Sequence, residues 1–274
     1  MTAPAPTPQR EYAFLHAPIL AFYSRPLYRD VAHHWRGYGA AYLLLVAALV
    51  TLPQALRVHV AARAGITDDV LAQVSRIPPL RVEGGQLRLE ATQPLTLLQE
   101  GAGDDATPVI VVDTTGTLTT LDGSSVRMLL LKDHVLTRQP DGTVESTPLA
   151  PLEGMSVDGP LVTAAMLLLR NWGAVMFFLL AVVLGWLLHV LQAAIMGFIT
   201  RMLAARLDMG LTYDVAMRLT AVAMTPALLA NAFLDAMDVA IPGAFLVWAL
   251  MTLGYVNLSI QAVVLGDPPA ADED

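Results

Sequence analysis

The sequence contains no cysteine and only one lysine, Lys132, beside fifteen arginines. Without cysteine the chain has no disulfide, no thiolate metal site and no cysteine nucleophile. Charge is also scarce: 15% of the 274 residues are charged, where soluble domains have about a quarter. The net charge of −8 excludes the basic surface that nucleic-acid binding requires. Hydrophobic residues make up 55% of the chain, a composition typical of membrane proteins.

Four hydrophobic stretches are long enough to cross a bilayer. Residues 172–199 form the strongest one, with no Asp, Glu, Lys or Arg inside it and with Arg170 and Arg201 at its two ends. About 20 apolar residues, each rising about 1.5 Å, cross a hydrocarbon layer of about 30 Å. We therefore predict a transmembrane helix here and expect the rest of the chain to be organised around it. The other predicted transmembrane helices are residues 39–57, 212–233 and 241–265.

Residues 58–160, between the first two predicted spans, have the pattern of a separate β-rich domain. Thr67 is placed to cap a short helix that Pro78-Pro79 would end. Beyond it, apolar residues alternate with polar ones, and Gly84-Gly85 and Pro140-Asp141-Gly142 mark turns. The predicted strands are 80–82, 87–89, 94–98, 109–112, 128–131, 134–138 and 143–146. The predicted fold class is a membrane α-helical bundle of four transmembrane helices with an inserted extracytoplasmic β-rich (α+β) domain.

The segments that flank the spans have their own patterns. Residues 1–38 are predicted to hold a disordered start, residues 1–9, and an amphipathic helix that lies at the membrane interface, is broken near Pro26 and is capped by Ser24. Its aromatic and basic residues suit the headgroup layer. The predicted anchors are Arg25, Tyr28, Arg29, Trp35 and Arg36. The alternative is a helix that packs on another part of the protein.

Three further segments complete the predicted domain boundaries. Residues 161–171 are predicted to be a second interfacial helix, separated from the strongest span by Arg170-Asn171. Residues 200–211 are predicted to be a cytoplasmic loop, and residues 266–274 an acidic cytoplasmic tail.

The orientation follows from the short segments between spans. Arginines gather before the first span and in residues 200–211, whereas the loop that carries Asp235 and Asp238 has none. Positive charge marks cytoplasmic loops. Both termini are therefore predicted to be cytoplasmic and residues 58–160 periplasmic, in a bacterial inner membrane. About 38 residues precede the first span, more than a usual signal peptide has, so we expect an uncleaved anchor.

Polar residues inside the spans are the candidate functional site. Asp214 and Arg218 are one helical turn apart, where they can pair with each other or bind a lipid or ligand. His189 and Gln192 share one helix face, and Asn231 and Asn257 lie on other spans. Such groups hydrogen-bond between helices or line a path for protons or substrate. Together these six residues form the predicted intramembrane polar cluster.

Other arrangements of acidic and metal-binding residues point to no catalytic site. Tyr213-Asp214 is similar to half of an intramembrane aspartyl protease site, but the second carboxylate that such a dyad needs is missing. Asp104, Asp105, Asp113 and Asp122 lack the alternating ligands of a calcium loop and are interpreted as solvated. His33 and His34 are adjacent and would point to different sides of a helix. We predict no metal and no cofactor.

Several stretches together resemble one bacterial family. They are residues 22–37, 111–116, 129–133 and 211–219, the last followed by Thr225-Pro226. In order and spacing they are similar to domain of unknown function 1189, along nearly the whole chain. The resemblance implies an integral inner-membrane protein and no defined reaction. The last stretch is also distantly similar to the membrane region of Yip-type trafficking proteins, which act through membrane and protein contacts.

The sequence therefore favours a non-enzymatic inner-membrane protein, an envelope adaptor, scaffold or sensor that binds a partner through its extracytoplasmic domain. The alternatives are a small transporter or its accessory subunit, and an envelope enzyme. Transport would require Asp214, Arg218, His189 and Asn231 to line one cavity, and an enzyme would require a pocket with converging polar groups. The predicted partners are the lipid bilayer, a protein of the envelope or membrane, and a second copy of the chain.

Overall fold

The computed structural model describes residues 11–37, 39–100, 107–139 and 141–264. The predicted disordered start at residues 1–9, the acidic tail at 266–274, Asp104, Asp105 and Pro140 lie outside these residues. The chain divides into two compact units. We call residues 1–58 with 174–274 the helical unit, and residues 59–173 the β unit; helices α3 and α5 contribute residues to both.

The helical unit contains all or part of seven of the described helices. In chain order they are α1 (Ala17–Leu20), α2 (Arg25–His34), α3 (Gly39–Gly65), α5 (Gly159–Ala205), α6 (Tyr213–Ala223), α7 (Thr225–Ala236) and α8 (Ala244–Val264). Within the described residues, four helical segments are long and apolar enough to cross a membrane: α3, α5, α6 with α7, and α8. This agrees with the four predicted spans, so the protein is a multi-pass membrane protein with an added β-rich part.

Helix α5 differs from its prediction, because it is one continuous helix of 47 residues. The predicted interfacial helix at 161–171 and the predicted loop at 200–211 were expected to end it on either side. Instead it runs through Arg170-Asn171, which are compatible with a helix, and it continues to Ala205. At about 1.5 Å per residue it is about 70 Å long, more than twice the hydrocarbon layer. The predicted boundary at Arg170-Asn171 is therefore wrong.

The third span lies at the centre of the helical unit. Its two helices meet at Met224, directly before Thr225-Pro226, since proline cannot donate the backbone hydrogen bond that would continue α6. Half of the residues in its most apolar 18-residue segment are buried, whereas only 6% are buried in the most apolar 18-residue segment of α5. Helices α2, α6 and α8 pack on one another. Their shared core contains the buried side chains of Leu27, Tyr28, Trp35, Leu219 and Ile260.

The β unit follows its predicted pattern closely. Thr67 caps α4 (Asp68–Val74), and its hydroxyl accepts a hydrogen bond from Val70 N. The strands are β1 (Leu80–Glu83), β2 (Gln86–Leu89), β3 (Leu95–Glu100), β4 (Thr107–Val112), β5 (Met128–Leu130), β6 (His134–Arg138), β7 (Val144–Pro148) and β8 (Ser156–Val157), with a 3-10 helix at Ala150–Leu152. Each predicted strand is present.

The strands form two sheets. One has the order β2-β1-β8, and the other has the order β3-β4-β5-β6-β7. All neighbours are antiparallel except β4 and β5. Gly84 and Gly85 both have positive φ, as a two-residue hairpin turn requires. The Glu153 carboxylate accepts hydrogen bonds from both glycine amides, which hold its pKa below the usual range.

Asp113 corrects one prediction, because it is buried rather than solvated. Its carboxylate accepts hydrogen bonds from the Thr115 amide and hydroxyl and from the Leu118 amide. Burial alone would raise the pKa of Asp113, but these hydrogen bonds outweigh burial and lower it. The carboxylate therefore stabilises the turn that follows β4, and we assign it a structural role. Asp122 is exposed, as predicted.

Candidate functional site

The buried carboxylate of Asp30 holds the N-terminal part of the described chain together. One of its oxygens accepts from Glu11 N at 3.1 Å and lies 2.7 Å from His34 Nδ1. The other accepts from Trp35 Nε1 at 2.9 Å and from Tyr12 N at 3.3 Å. A buried carboxylate is stable only when hydrogen bonds replace its lost water. Asp30 therefore fixes the segment before α1 and the end of α2 in one arrangement.

The interfacial prediction for α2 is wrong for two of its anchors. Ser24 does cap the helix, with its hydroxyl accepting from Leu27 N at 3.3 Å. However, Tyr28 and Trp35 are fully buried in protein, so their side chains do not reach a headgroup layer. Tyr28 donates to Ala21 O at 2.6 Å, and burial raises the pKa of its phenol well above the usual range. The alternative, a helix packed on the rest of the protein, describes α2 better.

The three arginine anchors differ from one another. Arg25 and Arg36 are exposed, so both are free to reach a headgroup layer. Arg29 is half-buried, and its Nε donates to Ala262 O at 2.8 Å. That carbonyl belongs to the last turn of α8, where orphan carbonyls and the helix dipole both favour a cation. Arg29 thus joins α2 to the end of the fourth span.

Asp214 and Arg218 form the predicted pair. Arg218 Nη2 lies 3.1 Å from Asp214 Oδ2, and its Nε donates to Asp214 O at 3.3 Å. The two partners are not equally accessible: the Arg218 side chain is 5% exposed and that of Asp214 is 67% exposed. The Nη1 atom of Arg218 is buried and has no hydrogen-bond partner among the described residues. A buried guanidinium with an unused donor is costly.

The start of α3 meets the last family-like stretch at Arg218. A Cβ built on Gly39 would lie 3.2 Å from Arg218 Cγ, closer than nearly all real contacts of this kind. A larger residue here would require the Arg218 side chain to shift, so glycine favours the close approach of α3. Arg36, three residues earlier, is near enough to interact electrostatically with Arg218. Arg218, paired with Asp214, thus lies near a second positive charge, Arg36, where α3 and α6 begin.

The remaining polar residues do not join this pair. Gln192 and Asn231 line a cavity of about 220 Å³ with Trp248 and Thr252. Asn231 donates to Asp235 Oδ2 at 3.1 Å on its own helix. His189 is half-buried, and Asn257 is exposed. Among the described residues, the predicted cluster is therefore divided: Asp214 and Arg218 pair with each other, whereas Asn231 bonds to Asp235 and lines a different cavity with Gln192.

The other ends of the first and third spans also meet. Arg57, near the predicted end of the first span, forms an ion pair with Asp238 and donates to Asp235 O at 2.8 Å. Since Gly39 contacts Arg218 at the opposite ends, the two helical segments run in the same direction. This is the arrangement expected when one crossing, that of the second span, lies between them.

The two edges of the five-stranded sheet differ. At β3, helix α4 packs along the edge, and Gln73 Oε1 accepts from Gln99 N at 2.9 Å. At β7, all five residues are exposed, and no described residue outside β6 pairs with the strand. One edge is thus covered by the chain itself, whereas the other is open within the described part of the chain.

The register shows which backbone groups of β7 are open. Gln139 N donates to Thr143 O, and Leu149 N donates to Asp133 O. In an antiparallel ladder, hydrogen-bonded pairs alternate with non-bonded pairs. Between those two bonds, Thr137 faces Glu145 and Val135 faces Thr147 in bonded pairs. Val144 and Ser146 therefore direct their N–H and C=O groups away from β6.

Sequence reasoning missed both Asp30 and the β7 edge. Asp30 had a signal, because an acidic residue inside an aromatic helix, four residues before His34 and five before Trp35, can bond with both. The open edge at β7 had no such signal in the sequence, because which strand lies at an edge depends on the order of the strands in the sheet. Among the described residues, no group of three or more histidines, aspartates and glutamates is placed to hold a metal ion.

One comparison with known proteins gave a match. A family model described as "Protein of unknown function (DUF1189)" matches residues 16–260. The search of curated proteins and the search of solved structures each gave no match. The matched range includes α2, the first three candidate spans, the fourth span as far as residue 260, and the whole β unit.

Proposed function

The chain belongs to the DUF1189 family, and on that premise we propose that it is a non-enzymatic protein of the bacterial inner membrane that binds a protein partner through its β unit. The partner is an extended segment of an envelope protein. It binds by adding a strand to the open edge of the five-stranded sheet. The observation that carries the proposal is the exposed strand β7, with the outward backbone groups of Val144 and Ser146.

The proposal places the β unit in the periplasm and both termini in the cytoplasm. Arginine in the segment before the first span supports this orientation. The parallel first and third spans support it too, because the arginine-rich ends of both then lie on the cytoplasmic side. An envelope partner could then reach β7.

An open edge is a specific liability that proteins usually remove. Unpaired N–H and C=O groups on an exposed strand form a template for another strand. This sheet covers its β3 edge with α4 and Gln73 but leaves β7 open. Glu145 and Pro148 in β7 discourage uncontrolled pairing, since charge and proline protect edges. What is left is a short, controlled edge of the type that strand-addition complexes use.

The test combines crosslinking in intact cells with substitutions in β7. A photoreactive residue replaces Glu145, and adducts are identified by mass spectrometry in three backgrounds: wild type, Ser146→Pro and Ser146→Ala. Proline removes the outward N–H of residue 146 without removing a bond to β6, because edge strands tolerate proline at such positions. Alanine keeps that N–H and serves as the matched control.

We expect one reproducible partner, lost in Ser146→Pro and kept in Ser146→Ala. Equal crosslinking in both variants would contradict strand addition at β7. An adduct only to a second copy of the chain would replace the envelope partner with self-association. The β unit of each variant is checked by protease resistance, so that a lost adduct is not a lost fold.

A further inference from the structure

We propose that Arg218 and Arg36 form a binding site for the phosphate group of an anionic phospholipid, at the level where α3 and α6 begin. The site lies in the helical unit and does not depend on strand addition at β7. Arg36 belongs to the first family-like stretch and Arg218 to the last, and Gly39, two residues beyond the first stretch, packs against Arg218.

The first argument is the unused donor on Arg218. Its side chain is 5% exposed, yet Nη1 has no partner among the described residues. Leaving a buried donor unpaired is costly, and more so when the group is charged. A phosphate oxygen is the acceptor that a guanidinium pairs with best, through charge-assisted and often bidentate hydrogen bonds. The structure thus contains a donor that a phosphate would satisfy.

The second argument is the local charge. Arg36 lies three residues before Gly39, which packs against Arg218, and its positive charge opposes that of Arg218. Among the described residues, Asp214 is the carboxylate paired with Arg218. Two cations and one anion leave an excess positive charge. Asp214 is 67% exposed, so water weakens its attraction for Arg218. A second anion is therefore favourable here, and a singly charged one would balance the group.

The third argument is the position of the site along the spans. α3 begins at Gly39 and α6 begins at Tyr213, and both begin candidate membrane spans. Helix N-termini direct their unpaired N–H groups and the positive ends of their dipoles toward anions. Phosphates of the bilayer lie at the ends of spans, where arginine side chains reach them. The exposed side chain of Arg36 is free to do so.

Two of the predicted anchors allow a matched comparison. Arg25 and Arg36 are both exposed and flank α2 at its two ends. General attraction of basic residues to an anionic surface would depend on both equally. A built site would depend on Arg36 alone, because Arg36 is the one that interacts with Arg218.

Asp214→Asn provides a second test, in which the affinity for the lipid phosphate is expected to rise and not to fall. The substitution keeps the size of the side chain and removes the competing carboxylate from Arg218. If Arg218 binds phosphate, affinity should rise, because its Nη2 becomes available as well. If the Asp214–Arg218 pair is only structural, the variant should lose stability without any gain in affinity.

The experiment uses the full chain in lipid nanodiscs. Binding of phosphatidylglycerol is measured by native mass spectrometry in a phosphatidylcholine background, and a separate arm replaces phosphatidylglycerol with inorganic phosphate. We expect Arg36→Gln to weaken phosphatidylglycerol binding about tenfold, the effect of losing about 1.4 kcal/mol. Arg25→Gln should stay within about twofold of wild type, and Asp214→Asn should bind several-fold more tightly.

Other results would overturn the proposal. Equal losses in Arg36→Gln and Arg25→Gln would mean diffuse attraction and no site. Binding in the inorganic phosphate arm without any preference for phosphatidylglycerol would assign the site to free phosphate. Unchanged affinity in Asp214→Asn, with the variant folded by its thermal unfolding profile, would leave Arg218 as a purely structural residue.

Discussion

The second span, α5, and the third span, α6–α7, have opposite relations to the protein interior. α5 is the more apolar of the two. In its most apolar 18-residue segment 6% of the residues are buried, whereas half are buried in the corresponding segment of the third span. The third span contains Asp214, Arg218, Pro226 and Asn231, whereas α5 has no Asp, Glu, Lys or Arg between Arg170 and Arg201. In a membrane, apolar side chains gain little by leaving lipid, so small and polar residues determine which helix faces the others.

The residues of the third span fit this rule. Its buried positions include small side chains at Ala216, Ala221, Ala223 and Ala227, which let neighbouring helices approach closely. Leucines of α5, such as Leu180, Leu188 and Leu191, are more than half exposed in the chain. The most hydrophobic helix is thus the one with the largest surface for lipid. High hydropathy correctly identified α5 as a span, but the expectation that the rest of the chain is organised around α5 is wrong, because the third span is the most buried one.

The largest difference in stability is expected between two leucine substitutions, one in each span. Leu219 is fully buried in α6, and Leu188 of α5 is 64% exposed. Leu219→Ala leaves a cavity among packed side chains, which should lower the free energy of unfolding by about 2 kcal/mol or more. Leu188→Ala replaces a contact with lipid and should change it by less than about 0.5 kcal/mol. Both are measured by reversible unfolding of the full chain in mixed micelles.

The same pair of variants can break the comparison. If Leu188→Ala destabilises the protein as much as Leu219→Ala does, α5 has a protein neighbour on that face. A second copy of the chain would be the first candidate. Repeating the measurement at several protein concentrations would detect it, because only association makes stability depend on concentration.

The next effect concerns two glycines of α5. A Cβ on Gly197 would lie 3.1 Å from Met217 Cα, whereas one on Gly185 would have no atom within 4 Å. Gly197→Leu must therefore push α6 away, at a cost of about 1–3 kcal/mol. Gly185→Leu should be nearly neutral. Thermal unfolding of both variants measures the difference, and a similar loss in both would mean that glycine serves the helix backbone and not the α5–α6 contact.

Much of this fold could be predicted because its signals are local. Thr67 and Ser24 as helix caps, the turn at Gly84-Gly85 and the alternation of β1 and β2 all depend on neighbouring residues. The ends of α5 could not be predicted in the same way. Arg170 is compatible with a helix, and it pairs with Asp68, a residue 102 positions away in sequence. Its effect on the helix depends on a contact that no local pattern contains.

The candidate site was predictable in part for the same reason. The Asp214–Arg218 pair depends on spacing within one helix and is present. The approach of Gly39 to Arg218 and the burial of Tyr28 and Trp35 depend on how helices pack. Aromatic and basic residues suit both a headgroup layer and a protein core with hydrogen-bond partners, so composition alone did not distinguish the two.

The smallest change in stability is expected from removing one hydrogen bond between the second and the third span. Thr200 and Thr220 place their hydroxyl oxygens 2.7 Å apart, joining α5 to α6. Each hydroxyl has one hydrogen and also lies within hydrogen-bond distance of a carbonyl of its own helix, Met196 O or Ala216 O. When one hydroxyl is removed, the other can therefore donate to that carbonyl and is not left unpaired. A double-mutant cycle of Thr200→Val and Thr220→Val should give a coupling of about 0.6 kcal/mol, the average for such bonds in membranes. A coupling near zero would mean that this hydroxyl pair does not help to hold α5 to α6, and that other contacts do so, such as packing at Gly197 and the hydrogen bond from Tyr213 to Ala194 O.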